Sequence, residues 1–151
     1  MDDFFKNIFK LVIPPVNFIP TNTPGSLFIG SAVATRPNYV KRHNYGVVIS
    51  LFEPDYALPD EIAHYRFVIE DEPYMTAEMQ QLGHKLLPLI YHYLMNGHNV
   101  LIHCRSGMQR APTIGVYYLM LLENLTEEEA IKKIVDNRWV AFRHGMYFTF
   151  F

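Results

Sequence analysis

Residues 99–115 read NVLIHCRSGMQRAPTIG, and this stretch decides the fold. It begins with a continuously apolar run, Val100 to Ile102, which is typical of a strand covered on both faces. Proline is favoured in the first turn of a helix, so a helix is expected to open near Pro112 and to continue through the apolar residues that follow. Cys104, the only cysteine in the chain, therefore lies in the turn between a buried strand and a helix.

The segments around this turn show the same alternation of strand and helix. Three further β-type runs occupy residues 26–31, 45–51 and 64–70. One helix is expected from Thr76, acting as its N-cap, to about Met95. Another is expected from Thr126, where Thr126 and Glu129 can form a capping box. Because strands that are apolar on both faces need helices on both sides, the sequence predicts a single-domain α/β fold with a central, mostly parallel sheet flanked by helices on both faces.

Residues 1–14 are expected to form an N-terminal lead, separate from a domain that spans residues 15–151. A cluster of prolines marks the boundary, at Pro14, Pro15, Pro20 and Pro24. Within the lead, four apolar side chains fall on one helical face: Phe5, Ile8, Phe9 and Val12. Such a face can pack on its own domain, form a homodimer contact or rest on a membrane surface, and all three interpretations stay open.

The composition excludes several classes of protein. Half of the 151 residues are hydrophobic, which excludes a disordered chain and is enough for one compact domain. A formal net charge of -2 gives no surplus of basic residues for nucleic acid or an anionic membrane, and the longest uncharged apolar run, residues 114–122, is too short to span a bilayer. A single cysteine cannot form an intrachain disulfide, and the N-terminus is acidic where a secretory signal would be basic. These features predict a cytoplasmic protein, without excluding the nucleus.

The turn that carries Cys104 has the properties of an anion site. Ligands of parallel sheets bind beyond the carboxyl ends of the strands, where helix N-termini offer free N–H groups. Gly107 allows the backbone to turn tightly, so that successive amides can point inward. The amides, the helix dipole and the Arg110 guanidinium all favour a thiolate over a thiol, which makes Cys104 a nucleophile. Arg110 can also grip two oxygens of a phosphoryl group with its planar fork.

The residues HCRSGMQRAPT resemble the signature loop of the cysteine-dependent protein tyrosine phosphatases, His-Cys-five residues-Arg, and in particular that of the small dual-specificity branch. The resemblance extends from about Pro15 to the end of the chain. Residues 25–53 resemble the opening strand, helix and second strand of that branch. Residues 131–138 and the segment from Met146 to Phe151 resemble its closing helices.

The resemblance implies three catalytic roles. Cys104 attacks phosphorus and forms a phosphocysteine, and Arg110 clamps the phosphoryl oxygens. The leaving group is protonated by an aspartate in an upstream loop, after a strand and before a long helix, and Asp71 occupies that place. Its neighbours Glu70 and Glu72 are rivals for this role. A useful acid must be protonated when substrate is bound, so burial or a nearby carboxylate is expected to raise the pKa of the acid.

Further site positions follow from the same resemblance. The residues between the cysteine and the arginine are expected to bind the phosphoryl group: Arg105, Ser106, Gly107, Met108 and Gln109. His103 is expected to orient the loop and to tune the thiol. Arg138 resembles a position near the pocket rim, where it would bind a second phosphate or an acidic substrate side chain. A solvated arginine at a helix end is the alternative.

Two positions depart from the pattern of the family. Ala111 stands where members usually carry serine or threonine, whose hydroxyl stabilises the departing thiolate when the intermediate is hydrolysed. The second chemical step is therefore expected to be slowed but not abolished. Gln109 stands where serine is often found, and its amide is a candidate for positioning water.

Three functions fit these residues. The leading prediction is a dual-specificity protein phosphatase that acts on phosphotyrosine and on phosphoserine or phosphothreonine, with a phosphorylated protein as its partner. The same loop serves RNA 5′-triphosphatases and phosphoinositide phosphatases, although Arg105 is the only additional basic residue in the loop here. The third function is a slow-turnover, phosphoprotein-binding pseudophosphatase, which Ala111 supports. No cofactor is expected, and no metal, because the histidines show no metal-binding spacing.

Overall fold

The fold is built on a five-stranded sheet. The computed structural model describes residues 13–150, and its strands are β1 Val16–Ile19, β2 Leu27–Gly30, β3 Val47–Ser50, β4 Ala63–Arg66 and β5 Val100–His103. Their order across the sheet is β1-β2-β5-β3-β4. The edge strand β1 runs antiparallel to β2, and the other neighbouring pairs are parallel. The prediction of a mostly parallel sheet is therefore confirmed.

Helices cover both faces of this sheet. The α-helices are α1 Pro37–His43, α2 Thr76–Met95, α3 Arg110–Leu122 and α4 Glu127–Asn137. A large hydrophobic core joins one face, through Val47 and Ile49, to α2, α3 and α4. A smaller core joins the other face, through Val48, to α1. Because successive residues of β3 point to opposite faces and both faces are buried, the strand is apolar until its last residue, Ser50.

The predicted strands are present, with shorter bounds. The run 64–70 forms a strand only as far as Arg66, although the Phe67 N–H still donates to the Ser50 carbonyl. The sequence does not predict β1, because Pro15 and Pro20 stand on either side of it. An edge strand tolerates such neighbours because one of its two sides has no hydrogen-bonded partner.

The start of α4 agrees with the N-cap predicted from the sequence, whereas the start of α2 does not. The capping box is confirmed, since the Glu129 N–H donates to Thr126 Oγ1 and the Thr126 N–H donates to Glu129 Oε1. Thr76 is not the N-cap of α2. A short 3-10 turn at Pro73–Met75 leads directly into that helix, and the Thr76 hydroxyl donates to the Pro73 carbonyl instead of to the helix N-terminus.

The end of the described chain is not helical. Residues 138–150 form turns and irregular backbone, so the closing helix expected at Met146 to Phe151 is wrong for the part that the structure describes. The segment is held in place by tertiary contacts. The Tyr147 N–H donates to the side chain of Gln109, and Phe148 is buried in the larger core.

Most of the N-terminal lead, residues 1–12, lies outside the described residues. Its expected helix and homodimer contact therefore stay predictions, as does the domain boundary at residue 15. The backbone that follows is attached to the domain, because the carbonyls of Pro14 and Pro15 accept hydrogen bonds from Arg138 and from the Ser31 N–H. None of the helices in residues 13–150 has the length and apolar character to cross a membrane.

Candidate active site

Cys104 lies at the carboxyl end of β5, in the loop that connects this strand to α3. The loop turns round its sulfur, and the Gly107 N–H donates to Sγ at 3.2 Å. Cys104 is 1% exposed and its thiol is free. This is the strand-to-helix turn that the sequence predicts. Pro112 lies in the first turn of α3, as expected.

The carbonyl oxygens of the loop, from Cys104 to Gln109, all accept hydrogen bonds from groups around it. The donors are His103 Nδ1 to Cys104, the Ala32 N–H to Arg105, Arg138 Nη2 to Ser106, Arg138 Nε to Gly107, the Phe142 N–H to Met108, and the N–H and hydroxyl of Thr113 to Gln109. These contacts fix the direction of every carbonyl in the loop.

The N–H groups of the same loop are free for a ligand. Within residues 13–150, those of Arg105, Ser106, Met108 and Gln109 have no protein acceptor, and that of Gly107 donates to the cysteine sulfur. The N–H and C=O of a trans peptide point in opposite directions, so carbonyls held outward leave the amides turned towards the sulfur. Successive inward N–H groups form an anion nest. The loop therefore fits a phosphate-sized oxyanion.

Gly107 is required at the tightest point of the loop. Its φ of +72° lies in the left-handed region, which favours glycine. A Cβ at this position would come within 2.8 Å of the Gly30 carbonyl oxygen and 2.5 Å of Arg138 Nη2. Any other residue would separate the loop from both groups.

Arg138 lies beneath the loop, not at the rim of the cleft. It follows α4 directly and is fully buried. Its guanidinium donates to the carbonyls of Ser106 and Gly107 and, at the start of the domain, to the Pro14 carbonyl and Asn17 Oδ1. The expectations of a rim position and of a solvated helix end are therefore both wrong. Its hydrogen bonds hold the guanidinium in the interior, behind the loop.

The charge of Arg138 also acts on the site. Burial lowers the pKa of Arg138 to about 10, and the charge on Cys104 acts in the opposite direction. Arg138 therefore stays cationic at neutral pH. No carboxylate forms an ion pair with it in residues 13–150, so its positive charge favours an anion on the other side of the loop.

Arg110, the first residue of α3, presents one edge of its guanidinium to the cleft. Nη1 donates to the Ile69 carbonyl at 2.8 Å and lies 3.5 Å from the Leu51 carbonyl, which anchors the group. Nε has no hydrogen-bond partner, although the side chain is only 7% exposed. A buried charged donor without an acceptor is costly, so a phosphoryl oxygen at this edge would be strongly bound.

Asp71 lies opposite this edge of Arg110. Its Oδ1 is 3.8 Å from Nε of Arg110 and has no hydrogen-bond partner. Burial raises the pKa of Asp71, and Arg110 opposes part of that shift. The two rival acids, Glu70 and Glu72, are exposed, and the Glu70 carboxylate accepts a hydrogen bond from the Tyr74 hydroxyl. Of the three acidic side chains, Asp71 is thus the one that lies beside the Arg110 guanidinium.

These groups line an open cleft of about 380 Å³. Its outer wall includes the exposed side chains of Val68 and Tyr74. The ring of Phe52 lies near two guanidinium groups, with the Cζ atoms of Arg105 and Arg110 at 5.9 and 5.4 Å from the ring centroid. Phe52 is not among the site residues predicted from the sequence. Its place just after the end of a buried parallel strand is the signal that identifies it.

The side chains of Gln109 and Ala111 bring no free polar group to the cleft. The Gln109 carboxamide is used at both ends, since it donates to the Gly145 carbonyl and accepts from the Tyr147 N–H. It is therefore not available to position water, contrary to expectation. Ala111 is fully buried in the first turn of α3.

His103 supports the loop from the sheet. It is fully buried, donates from Nδ1 to the Cys104 carbonyl at 3.1 Å, and has Nε2 at 2.6 Å from Ser50 Oγ. Burial lowers the pKa of His103 to about 4, so the ring is neutral. Ser50, which contacts this ring, is also absent from the site residues predicted from the sequence. In residues 13–150, no group of three or more His, Cys, Asp or Glu side chains is arranged to hold a metal ion.

The chain resembles known proteins in sequence and in structure. Residues 27–150 match the family model described as "Dual specificity phosphatase, catalytic domain". The chain is 28% identical over 119 residues to dual specificity protein phosphatase 15 of Mus musculus, an alignment that covers 78% of this chain and 49% of the mouse protein. The chain thus spans about half the length of that relative.

Two crystal structures share the fold. Human DUSP28 superposes with a TM-score of 0.70 at 22% identity, covering 86% of this chain and 85% of DUSP28. DUSP15 superposes with a TM-score of 0.70 at 23% identity, covering 82% of this chain and 78% of DUSP15. At such identities these likenesses establish the architecture.

Proposed function

Because the chain belongs to the dual specificity phosphatase family, we propose that it hydrolyses phosphotyrosine and phosphoserine or phosphothreonine in proteins through a phosphocysteine intermediate. The loop around Cys104 carries the proposal, because its carbonyls face outward and its unpaired N–H groups surround the sulfur. Arg110, which directly follows the loop, and Asp71, which lies 3.8 Å from Arg110 Nε, line one cleft together with Arg105 and are suited to act as a phosphate clamp and an acid.

The first chemical step transfers the phosphoryl group to the enzyme. The Cys104 thiolate attacks phosphorus, an S–P bond forms, and the P–O bond to the substrate side chain breaks. The equatorial oxygens are held by the loop amides and by the Nε edge of Arg110. The raised pKa of Asp71 keeps its carboxyl protonated at a higher pH than usual, so that it can give its proton to the departing oxygen.

The second step regenerates the thiol. Asp71, now a carboxylate, takes a proton from water, the water oxygen attacks phosphorus, and the S–P bond breaks to release phosphate and the Cys104 thiolate. The sulfur is stabilised as an anion by the Gly107 N–H and by the charge of Arg138 behind the loop. Reduced sulfur is required throughout, which supports a cytoplasmic location.

The mouth of the cleft supports a protein substrate over a polyanionic one. Glu70 and Glu72 are exposed there, whereas Arg105 is the only exposed cation among the residues that line it in the described chain. An RNA 5′-triphosphate or a phosphoinositide carries further phosphates, which these carboxylates would repel. Val68 and Tyr74 offer apolar contacts to a peptide that carries a phosphorylated side chain.

Phosphate release from four substrates tests this assignment. We expect the wild-type chain to hydrolyse a phosphotyrosine peptide and a phosphothreonine peptide, and to act at least about tenfold less efficiently on an RNA 5′-triphosphate or a phosphoinositide. A reversed order would overturn the protein-phosphatase assignment. Binding of the peptides without phosphate release would favour the pseudophosphatase function that Ala111 raises.

Replacing Ala111 by serine is expected to speed breakdown of the phosphocysteine. One hydrogen bond to the departing thiolate is worth about 1.5–3 kcal/mol, which corresponds to a rate gain of roughly ten- to a hundredfold if this step limits turnover. Wild type should therefore show a burst of product followed by a slow steady state, and Ala111→Ser should lose the burst. Ala77→Ser on the exposed side of α2 is the matched control. A linear time course for wild type would contradict the prediction.

Replacing Asp71 by asparagine is expected to lower kcat/KM for a phosphotyrosine peptide by about a hundredfold or more, because the leaving oxygen of the first step departs without a proton. In wild type the acid function is present below the raised pKa of Asp71 and is lost as pH rises through it, so this basic limb of the rate profile should vanish in Asp71→Asn. Measurement of kcat/KM against pH tests both points. Glu72→Gln, an exposed neighbour, is the matched control, and an equal loss in that variant would show that the acid is misassigned.

The unfolding temperature of Asp71→Asn shows whether its loss of activity comes from a damaged fold. Because the folded-state pKa of Asp71 is raised, stability linked to this group is present when the carboxyl is protonated and is lost as pH rises through that pKa. Asparagine resembles the protonated form. The unfolding temperature of Asp71→Asn at neutral pH should therefore not fall below that of wild type.

A further inference from the structure

A line of three polar side chains connects the loop to the far edge of the sheet. They are Ser50 on β3, His64 on β4 and His103 on β5. Ser50 Oγ lies 2.6 Å from His103 Nε2 and 2.7 Å from His64 Nε2, and His103 Nδ1 lies 3.1 Å from the Cys104 carbonyl oxygen. The line therefore runs from a partly exposed histidine on an edge strand to the backbone of the nucleophile.

Burial and hydrogen-bond chemistry determine which group is the donor in each hydrogen bond of this line. His103 is fully buried and neutral, so it carries a single N–H. The Cys104 carbonyl can only accept, which places that proton on Nδ1 and leaves Nε2 as the acceptor of the Ser50 hydroxyl proton. Ser50 Oγ has then used its only proton and can only accept from His64, whose Nε2 must carry a proton.

We propose that His64 is a positioning residue for catalysis, which acts through Ser50 to fix the tautomer of His103 and the direction of the Cys104 carbonyl. This inference rests on the proposed function. Without the His64 N–H, the Ser50 hydroxyl can rotate away from His103. Its proton is then no longer fixed towards His103 Nε2, so the tautomer of the ring is no longer fixed either. The Cys104 carbonyl is the first of the six loop carbonyls that are held by hydrogen bonds from outside the loop. Because these carbonyls point outward, the loop amides face the sulfur.

The charged groups around this line do not change which group donates in each of its hydrogen bonds. The groups that act electrostatically on His103 are His64, Asp55 and Arg110, and those that act on His64 are Arg66 and Glu53. Burial and then Arg66 lower the pKa of His64, while Glu53 opposes them. If His64 is protonated, Nε2 still carries its proton and still donates to Ser50. The contribution of His64 should therefore be constant with pH across its own titration.

Two replacements of His64 test the proposal. His64→Gln keeps an N–H donor near the position of Nε2, whereas His64→Leu removes it at similar volume. For an aryl phosphate we expect kcat/KM to fall about tenfold in His64→Leu, mainly through kcat, and to stay within about threefold of wild type in His64→Gln. Arg66→Leu, on the same exposed edge strand, is the matched control and should leave kcat/KM unchanged within about twofold.

A double-mutant cycle separates a relay from a local effect. Once Ser50→Ala is present, His64 has no hydroxyl to orient, so adding His64→Leu should cause no further loss. Additive losses, or equal activities of His64→Leu and wild type, would overturn the proposal. If His64→Leu unfolds at a lower temperature, the comparison with His64→Gln still decides between packing and the N–H donor.

Two readouts do not depend on turnover. Heteronuclear NMR of the His103 ring should show the proton on Nδ1 in wild type and in His64→Gln, and a mixture of tautomers in His64→Leu. Alkylation of Cys104 by iodoacetamide should also be slower in His64→Leu. If wild type fails to hydrolyse the aryl phosphate, the proposed function fails while these measurements still judge the relay. An unchanged tautomer and alkylation rate in His64→Leu would overturn the relay alone.

Discussion

Replacing Cys104 by serine is expected to lower turnover of a phosphotyrosine peptide by at least about 10⁴-fold, because a hydroxyl at this position lacks the nucleophilicity of a thiolate. Binding should survive, since the phosphoryl group is held by the loop amides and Arg110. Initial rates and calorimetric titration measure the two effects.

The covalent intermediate gives a second readout of the same replacement. Acid quenching of wild type with radiolabelled substrate should trap phosphate on the protein, whereas Cys104→Ser should trap none. Ser106→Ala removes a hydroxyl from the neighbouring loop position and is the matched control, because the Ser106 backbone supplies the relevant N–H and C=O. Turnover that persisted in Cys104→Ser would refute the proposed mechanism.

Replacing Arg138 by methionine is expected to affect stability and activity together. The change leaves one buried acceptor, the Gly107 carbonyl, and three partly buried ones without their donor: the carbonyls of Ser106 and Pro14, and Asn17 Oδ1. Each unsatisfied buried acceptor costs about 1–3 kcal/mol, and relaxation recovers part of the total. We expect a loss of about 3 kcal/mol or more, which lowers the unfolding temperature by about 10 °C in a domain of this size.

The activity of Arg138→Met should fall even where the protein is folded. Without the guanidinium the carbonyls of Ser106 and Gly107 are free to turn, so the amides no longer converge on the sulfur, and kcat/KM should drop by about a hundredfold or more. Arg42→Met, on the exposed side of α1, is the matched control and should change neither quantity appreciably. Normal kcat/KM in folded Arg138→Met would show that the loop keeps its shape unaided.

Local patterns account for the parts of the fold that the sequence predicts. The apolar residues of β3 and β5 report burial on both faces, and the Thr126 capping box marks the start of α4. The position of Cys104 follows from the same patterns, because a buried strand and a proline near the next helix delimit one short turn. These features depend on residues close together in the chain, so they can be predicted from the sequence.

The misplaced features depend on contacts between distant residues. Nothing near Arg138 in the sequence indicates burial, and its acceptors are contributed by Pro14, Asn17 and the loop, far away in the chain. The segment after α4 makes isolated turns instead of a helix, and the Gly145 carbonyl and the Tyr147 N–H bond to the Gln109 side chain. Three-dimensional proximity, not local propensity, decides both outcomes.

The anchoring of the loop by both ends of the domain bears on synthesis at the ribosome. Within this domain, Pro14 and Asn17 are synthesised well before Arg138 and Phe142. A nascent chain that has just exposed its thiol lacks the donors that orient the surrounding peptides. The anion site around Cys104 should therefore take shape only after Arg138 and Phe142 have emerged, late in the synthesis of this domain.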